Sequence, residues 1–480
     1  MEKISVMGES IETYIRPSPD DFVAFLPWAC SQLESEYNVI ISKVYQSDYT
    51  RSSGLSVRSK SRSKSRPKAV LSKTDAASDR EDKTVIMHQV GSAEDIVHIV
   101  AVLDNNEDVV QISFEKNKHI PRLVLKIIGL IIKFHPQLNS VMINQGADLS
   151  TIYELKKILV LSNITDVCLD GCSLCEANYD ILLEHESVLR HLSLCRCKIE
   201  DDVLQNIASK LAYPNSASKS LSVLNLASNR ITDIGAKCLA NVLRSNRCLI
   251  YLNLSDNRIT DDGGIDLLDS LQEFCLTPEE VLASRARYLS FLKTKNDLID
   301  STMKELKIGD LGKSLAKKKP ARSVPTTVRK KAKGTEREGS LVSVPETTAS
   351  NNDSSDKIFH DKAVSIVQTS LGDFSDPFFS NNTSVKDEVL YCNGNNTLSY
   401  LNLAFNDLSY IFLKKLLNVL TYQKTVDRKP RGLIYVSIDG NNLPVLCDEL
   451  KEIEAILEMG INVQRNVTSK KRPQVKVSSR

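Results

Sequence analysis

Apolar positions in this chain recur in an eleven-residue pattern. LSVLNLASNRI runs from Leu221 to Ile231 and LIYLNLSDNRI from Leu249 to Ile259, starting 28 residues apart. LSYLNLAFNDL (Leu398–Leu408) and LIYVSIDGNNL (Leu433–Leu443) repeat it later. ITDVCLDGCSL (Ile164–Leu174) and LRHLSLCRCKI (Leu189–Ile199) carry Cys at the ninth place where the others carry Asn, and weaker copies start at Val109 and Leu138. The alternating L-x-L centre predicts a short strand with two side chains directed into a core and their neighbours directed out. The ninth-place residues Asn229, Asn257, Asn406, Asn441, Cys172 and Cys197 fit a tight turn after the strand, where a side chain can bond otherwise orphaned backbone groups. A helix is expected next. Ile231, Cys238, Leu239, Val242 and Leu243 return at helical spacing, and Gly235 and Gly263 take the same place in consecutive units.

A strand–turn–helix unit of this kind cannot bury its own apolar face, so units must stack. The period resembles that of leucine-rich repeats, and the 28-residue unit with a full helix resembles the ribonuclease-inhibitor type. The resemblance implies an α/β fold: a leucine-rich repeat solenoid with a curved parallel sheet inside, helices outside and disordered basic insertions. Repeat starts at 109, 138, 164, 189, 221 and 249 are regular, the longest step containing the polar insert 213–218. The next start, 398, lies 149 residues beyond Leu249, so about 120 residues are inserted on one side of the stack.

The expected organisation follows. Residues 1–50 form an N-terminal segment whose apolar patch Phe22–Trp28 either docks as a short helix or binds a partner. Residues 51–83 are a disordered basic linker, of which 51–68 are low-complexity and cannot pack a core. The first repeat block spans 84–275, opened by a cap made of a strand over 84–90 and a helix over 92–103. The insertion spans 276–397. Thr277-Pro278-Glu279-Glu280 is a helix start, predicting a helix over about 278–306 with a stripe of Leu292, Ile299 and Leu306 seven residues apart, and then a disordered polar loop. That stripe can lie on the solenoid or pair with a partner helix. The last block with its terminal helix spans 398–460, and 461–480 is a basic tail.

Charge is segregated. The net +2 conceals three stretches without acid: 51–74 with eight Lys or Arg, 311–335 with nine and 461–480 with six. The rest holds 39 basic against 60 acidic residues, so the folded part is acidic. Eleven cysteines, an opening MEKISVMGES without an apolar run, and no stretch of 18 apolar residues predict reduced thiols in a soluble intracellular protein with no membrane span.

Third and fifth places of each pattern face away from the core. They bring Tyr251, Tyr400 and Tyr435 onto one row and Asn225, Asn253 and Asn402 onto the next, about 4.8 Å apart if the insertion loops out. Such rows suit a protein-binding face, since Tyr supplies contact area with a polar tip. The alternative is that they only stabilise the sheet by cross-strand stacking and amide contacts. Cys168, Cys172, Cys175, Cys195 and Cys197 lack the paired C-x2-C halves of a zinc site, and Asp166 and His191 read as a cross-strand pair. No orienting group or oxyanion donor accompanies the His191–Cys195 couple, so a nucleophile is not expected either. Gly309 to Ser314 imitates a phosphate loop but has two residues between its glycines where four are needed. Neither a cofactor, a metal nor an enzymatic activity is expected. Asp373–Phe379 in the insertion reads either as a short linear motif or as chance.

The unit ending in LTPEEVLASRARYLSFL, followed by a basic and polar insertion before the repeats resume, resembles the leucine-rich repeat-containing protein 71 family over about 85–460. The resemblance implies a non-enzymatic intracellular scaffold in ciliated cells. The expected function is therefore binding of a protein partner on the concave repeat face, with basic segments meeting an acidic, tubulin-like surface. The expected location is cytoplasmic within a cilium or axoneme. The alternative is a nuclear or RNA-associated adaptor using the Arg/Ser-rich and Lys-rich stretches, although no aromatic residues interleave them, which argues against nucleic acid.

Overall fold

The computed structural model describes residues 16–33, 35–47, 96–316, 350–444 and 446–470. It separates into two units, one of residues 1–274 with 393–480 and the other Cys275–Cys392.

The first unit is built on a ten-stranded sheet. Its strands are β1 (Asn38–Tyr45), β2 (Ile96–Leu103), β3 (Val109–Phe114), β4 (Ser140–Ile143), β5 (Asp166–Cys168), β6 (His191–Ser193), β7 (Val223–Asn225) and β8 (Tyr251–Asn253). The two-residue strand β9 (Phe274–Cys275) and the hairpin strands β10 (Thr383–Lys386) and β11 (Val389–Cys392) follow, then β12 (Tyr400–Asn402) and β13 (Tyr435–Ser437) return to the large sheet. Its order is β1-β2-β3-β4-β5-β6-β7-β8-β12-β13, with every pairing parallel except β2–β3. The sheet is therefore continuous across the insertion, with Leu252 opposite Leu401 and Asn253 opposite Asn402.

The pattern explains the core directly. Leu224, Leu226, Leu252, Leu254, Leu401 and Leu403 are buried at 0 or 1% exposure. They meet helix residues of matching spacing, among them Leu239 and Leu243 of Asp233–Ser245 and Leu413 and Leu416 of Tyr410–Val426, in one apolar cluster. The 164 unit replaces its helix by the 3-10 turn Tyr179–Leu183, whose Tyr179 hydroxyl donates to the Cys172 carbonyl at 2.5 Å and accepts from Leu174 N–H at 3.1 Å.

Ninth-place side chains tie each unit to its neighbours. Asn229 Nδ2 donates to the carbonyls of Leu194, Leu226 and Ala227, and its Oδ1 accepts from the N–H groups of Cys197 and Ile199. Asn257 repeats this against Leu226, Leu254 and Ser255. Asn406 does so against Leu254, Leu403 and Ala404, while Asn441 donates to Leu403 and Ile438. Cys172 and Cys197, with shorter reach, each donate one bond, to the Ile143 and Leu169 carbonyls at 3.2 Å.

The equivalent glycines have an electrostatic reason. Asp201, at the start of its helix, accepts from the N–H groups of Thr232 and Gly235 in the next unit, and Asp233 does the same for Thr260 and Gly263. A Cβ on Gly235 would stand 2.5 Å from Asp201 Oδ1, and one on Gly263 would collide with Asp233 Oδ1.

Several expectations need correction. Residues 96–103 form a strand, not a helix: IVHIVAVL is β-branched and pairs on both sides, with β1 and β3. The strand expected over 84–90 lies outside the described residues. The sheet already begins at Asn38, inside the segment set apart as N-terminal, and helix Phe22–Gln32 buries Phe22, Leu26 and Cys30 in the same core.

In the second unit the first helix runs over Pro278–Ala316, beyond 306, so the phosphate-loop imitation at 309–314 is helical. The segment expected as a disordered loop instead holds helix Ser350–Leu371 and the β10–β11 hairpin. Ile299 and Leu306 of the apolar stripe, with Met303 between them, pack with Ala363, Val367 and Leu371, so this part of the stripe pairs with a helix of its own chain. Asp373–Phe379 belongs to this packing. Asp376 accepts from Ser284 at 3.0 Å and pairs with Arg287 at 2.6 Å, while Phe374 and Phe379 enclose Tyr288. Of the basic tail expected from 461, residues to Lys470 continue the helix Asp448–Lys470. The basic stretches 51–74, 317–335 and 471–480 lie outside the described residues.

Replacing Asn406 by Ala strands buried carbonyls and N–H groups in two units, each costing about 1–3 kcal/mol. Urea unfolding of Asn406→Ala is expected to show a loss of about 2–4 kcal/mol. Exposed Asn442→Ala should stay within about 0.5 kcal/mol, and equal effects would refute the ladder. Gly263→Ala, which must displace the Asp233 cap, is expected to lower the unfolding midpoint with a cost of about 1–3 kcal/mol.

Candidate functional site

Strands β8, β12 and β13 position the tyrosine row. Tyr251 pairs in register with Tyr400, and Tyr400 with Tyr435. Their ring centroids are 6.1 and 6.3 Å apart, with planes tilted 36° and 39°. Tyr251 and Tyr400 are half-buried and Tyr435 is 48% exposed. Burial raises the Tyr251 phenol, with Tyr435 adding to the shift, so at neutral pH the hydroxyl remains a neutral donor.

The asparagine row stands beside it. Asn225, Asn253 and Asn402 are in register on β7, β8 and β12. Each Oδ1 accepts from a backbone N–H two residues on, that of Ala227, Ser255 or Ala404, at 3.0–3.2 Å. These side chains therefore shape the strand's exit. Asn225 Nδ2 donates to Ser193 Oγ, whereas the Nδ2 groups of Asn253 and Asn402 make no hydrogen bond among the described residues.

Towards the other end of the sheet, His191 Nδ1 lies 3.4 Å from Asp166 Oδ1 across the β5–β6 register. The His191 contact, ahead of Thr165, holds the Asp166 carboxyl below its usual range. Asp170 Oδ1 accepts from Ser193 Oγ at 2.6 Å and Cys195 N–H at 3.0 Å. Burial governs the cysteines nearby. Burial, with Asp170 next, pushes the Cys168 thiol up to about 12, and burial with Cys172 does the same for Cys197. Among the described residues no group of three or more His, Cys, Asp or Glu is placed to hold a metal.

Sequence reasoning missed a second ladder at the strand entry. Asn246 Nδ2 donates to Leu211 and its Oδ1 accepts from Cys248 and Leu249. Asn395, wholly buried, donates to Leu243 and Asn246 and accepts from Thr397 and Leu398; Gln423 bridges Leu271 and Leu433. The only signal is an Asn three places before the first pattern leucine in two units, Leu249 and Leu398.

Thiols raised this far are protonated at neutral pH. Native alkylation at pH 7.5 is expected to label exposed Cys175 and to spare Cys168 and Cys197, read by peptide mass spectrometry; prompt labelling of Cys168 would reopen the nucleophile reading.

No helix among the described residues is long and apolar enough to cross a membrane. No curated protein matches the sequence. Comparison with protein families matches the Leucine Rich repeat family at residues 217–240, 245–268 and 394–410, the last lying beyond the insertion. These segments of the chain are thus leucine-rich repeats, modules that generally serve protein interaction.

Proposed function

We propose that the chain is a non-enzymatic scaffold whose repeats stack as a curved solenoid and bind a protein partner on the concave strand face. The observation that carries this reading is the three-ring row Tyr251–Tyr400–Tyr435, kept in register across the 149-residue step between repeats. Aromatic residues with polar tips are enriched in interface cores, and solenoid strand faces offer extended surface for such contacts. The basic stretches 51–74 and 313–333 act as electrostatic tethers to an acidic assembly, with tubulin-like chemistry as the intended surface. The proposed setting is a ciliary axoneme, supported by the family resemblance carried by LTPEEVLASRARYLSFL.

Two experiments test this. Proximity labelling with Tyr251→Ala/Tyr400→Ala is expected to lose partner recovery by about tenfold, as for interface hot spots worth at least 1.4 kcal/mol. Circular dichroism should be unchanged; unaltered recovery with an intact fold would defeat the binding face. Imaging a tagged chain in ciliated cells should place it on the axoneme and lose it when 51–74 and 313–333 are deleted. Nuclear accumulation would favour the adaptor alternative, and axonemal retention after deletion would remove the tether.

A further inference from the structure

The chemistry of the strand face narrows what its partner can be. The six clear repeats place eighteen residues at the third, fifth and seventh positions, and three of these are Asp while none is Lys or Arg, although the chain carries 62 Lys and Arg. The three acids are Asp166, Asp170 and Asp439. Asp166 and Asp170 stand with β5, three strands before the tyrosine row begins at β8, and Asp439 stands just after β13, the strand that carries Tyr435. Asp170 is held by two donors, which fixes its carboxylate, and Asp439 is exposed.

Elsewhere the molecule covers aromatic faces with its own cations: Lys219 over Tyr213, Arg244 over Phe274 and Lys414 over Tyr410. Among the described residues no cation stacks on Tyr251, Tyr400 or Tyr435. Their neighbours in the row are one another, with centroids 6.1 and 6.3 Å apart and planes tilted by 36° and 39°. A planar guanidinium can lie against the accessible side of such a ring, and its N–H fork then reaches a carboxylate.

Resting on the scaffold reading, we propose that the partner presents an arginine-bearing basic segment that crosses the strands. Its guanidinium groups stack on Tyr251, Tyr400 and Tyr435, and its flanking cations reach Asp439 at one end and Asp170 at the other. The face excludes acidic segments by its charge and offers phenol hydroxyls and the Asn253 and Asn402 Nδ2 groups to the carbonyls of the segment's backbone. Arginine is preferred over lysine because a planar guanidinium stacks on a ring and still donates bidentately to a carboxylate, whereas an ammonium acts as a point charge.

Fluorescence anisotropy of the full chain with a labelled twelve-residue peptide of alternating Arg and Ser tests the proposal. Binding is expected to weaken at least about tenfold in the Tyr251→Leu/Tyr400→Leu/Tyr435→Leu variant, which alters no charge. It should be retained in the corresponding triple Phe variant, which keeps the π faces, and weaken at least about threefold with Lys in place of Arg. Asp439→Asn/Asp170→Asn should lower affinity at low salt and flatten its salt dependence. Equal binding by the wild-type and triple-Leu chains would mean that general acidity attracts the peptide, which overturns the proposal. If the peptide fails to bind yet Tyr251→Ala/Tyr400→Ala still costs partner recovery, the scaffold reading stands and this inference falls. If both effects are absent, the face is structural only. Competition by a peptide of residues 51–74 at equal affinity would show that a segment of this chain occupies the face, overturning an external partner.

Discussion

Buried backbone at the exit of each strand is the constraint on which the stack depends. A chain that leaves a three-residue strand to begin a helix must turn within an apolar interior, where its N–H and C=O groups find no water. The ninth-place amide answers this by acting on two units at once, as Asn229 does when it spans Leu194 and Leu226 while capping Cys197 and Ile199. One side chain therefore fixes both the turn and the spacing to its neighbour. Cysteine at Cys172 and Cys197 retains one donor bond of the set, and its thiol is small enough to be buried without an unsatisfied acceptor. The helix side is tied by Asp201 and Asp233, whose carboxylates accept from the Gly235 and Gly263 N–H groups and leave no room there for a Cβ.

Much of this was legible because it is periodic. Positions four, six and nine recur with fixed chemistry, so the strands, the continuity from Leu249 to Leu398 and the tyrosine register all follow from spacing. The elements that escaped reading lack a period. The run IVHIVAVL is apolar on both sides, and a short apolar run does not by itself separate strand from helix; two sheet partners decide it. Helix Ser350–Leu371 is mostly polar because only Ala363, Val367 and Leu371 are needed to cover one stripe of its neighbour. Asp376 is a buried acid whose partners, Ser284 and Arg287, lie 92 and 89 residues earlier, and no local pattern can report such a distance.

The repeat divides its positions between two tasks. Core and turn positions answer to packing and hydrogen bonding, and their substitution is felt as lost stability. Of the third, fifth and seventh positions, Ser193, Ala227 and Ala404 are buried, whereas Tyr251, Tyr400 and Tyr435 are half-buried or exposed, so packing constrains this face unevenly. The fifth place only partly obeys this division, since Asn225, Asn253 and Asn402 spend their carbonyl oxygens on their own backbone. The tyrosine rings lie against one another along the row, and the strands beneath are held by Leu252 and Leu401.

The insertion illustrates why a regular stack tolerates an irregular passenger. Loop closure grows slowly with length, about 0.6 kcal/mol for each doubling, so the cost is set by how well the two ends are joined rather than by what lies between. Here the ends meet tightly. Gly394 adopts a left-handed φ of 78° where any Cβ would strike the Gln272 carbonyl, and Asn395 N–H donates to Ser270 while its side chain completes the ladder on Leu243 and Asn246. The returning chain is thus bonded to the unit it left before its first leucine, Leu398, is reached, and the sheet resumes in the register that the departure of β8 had set.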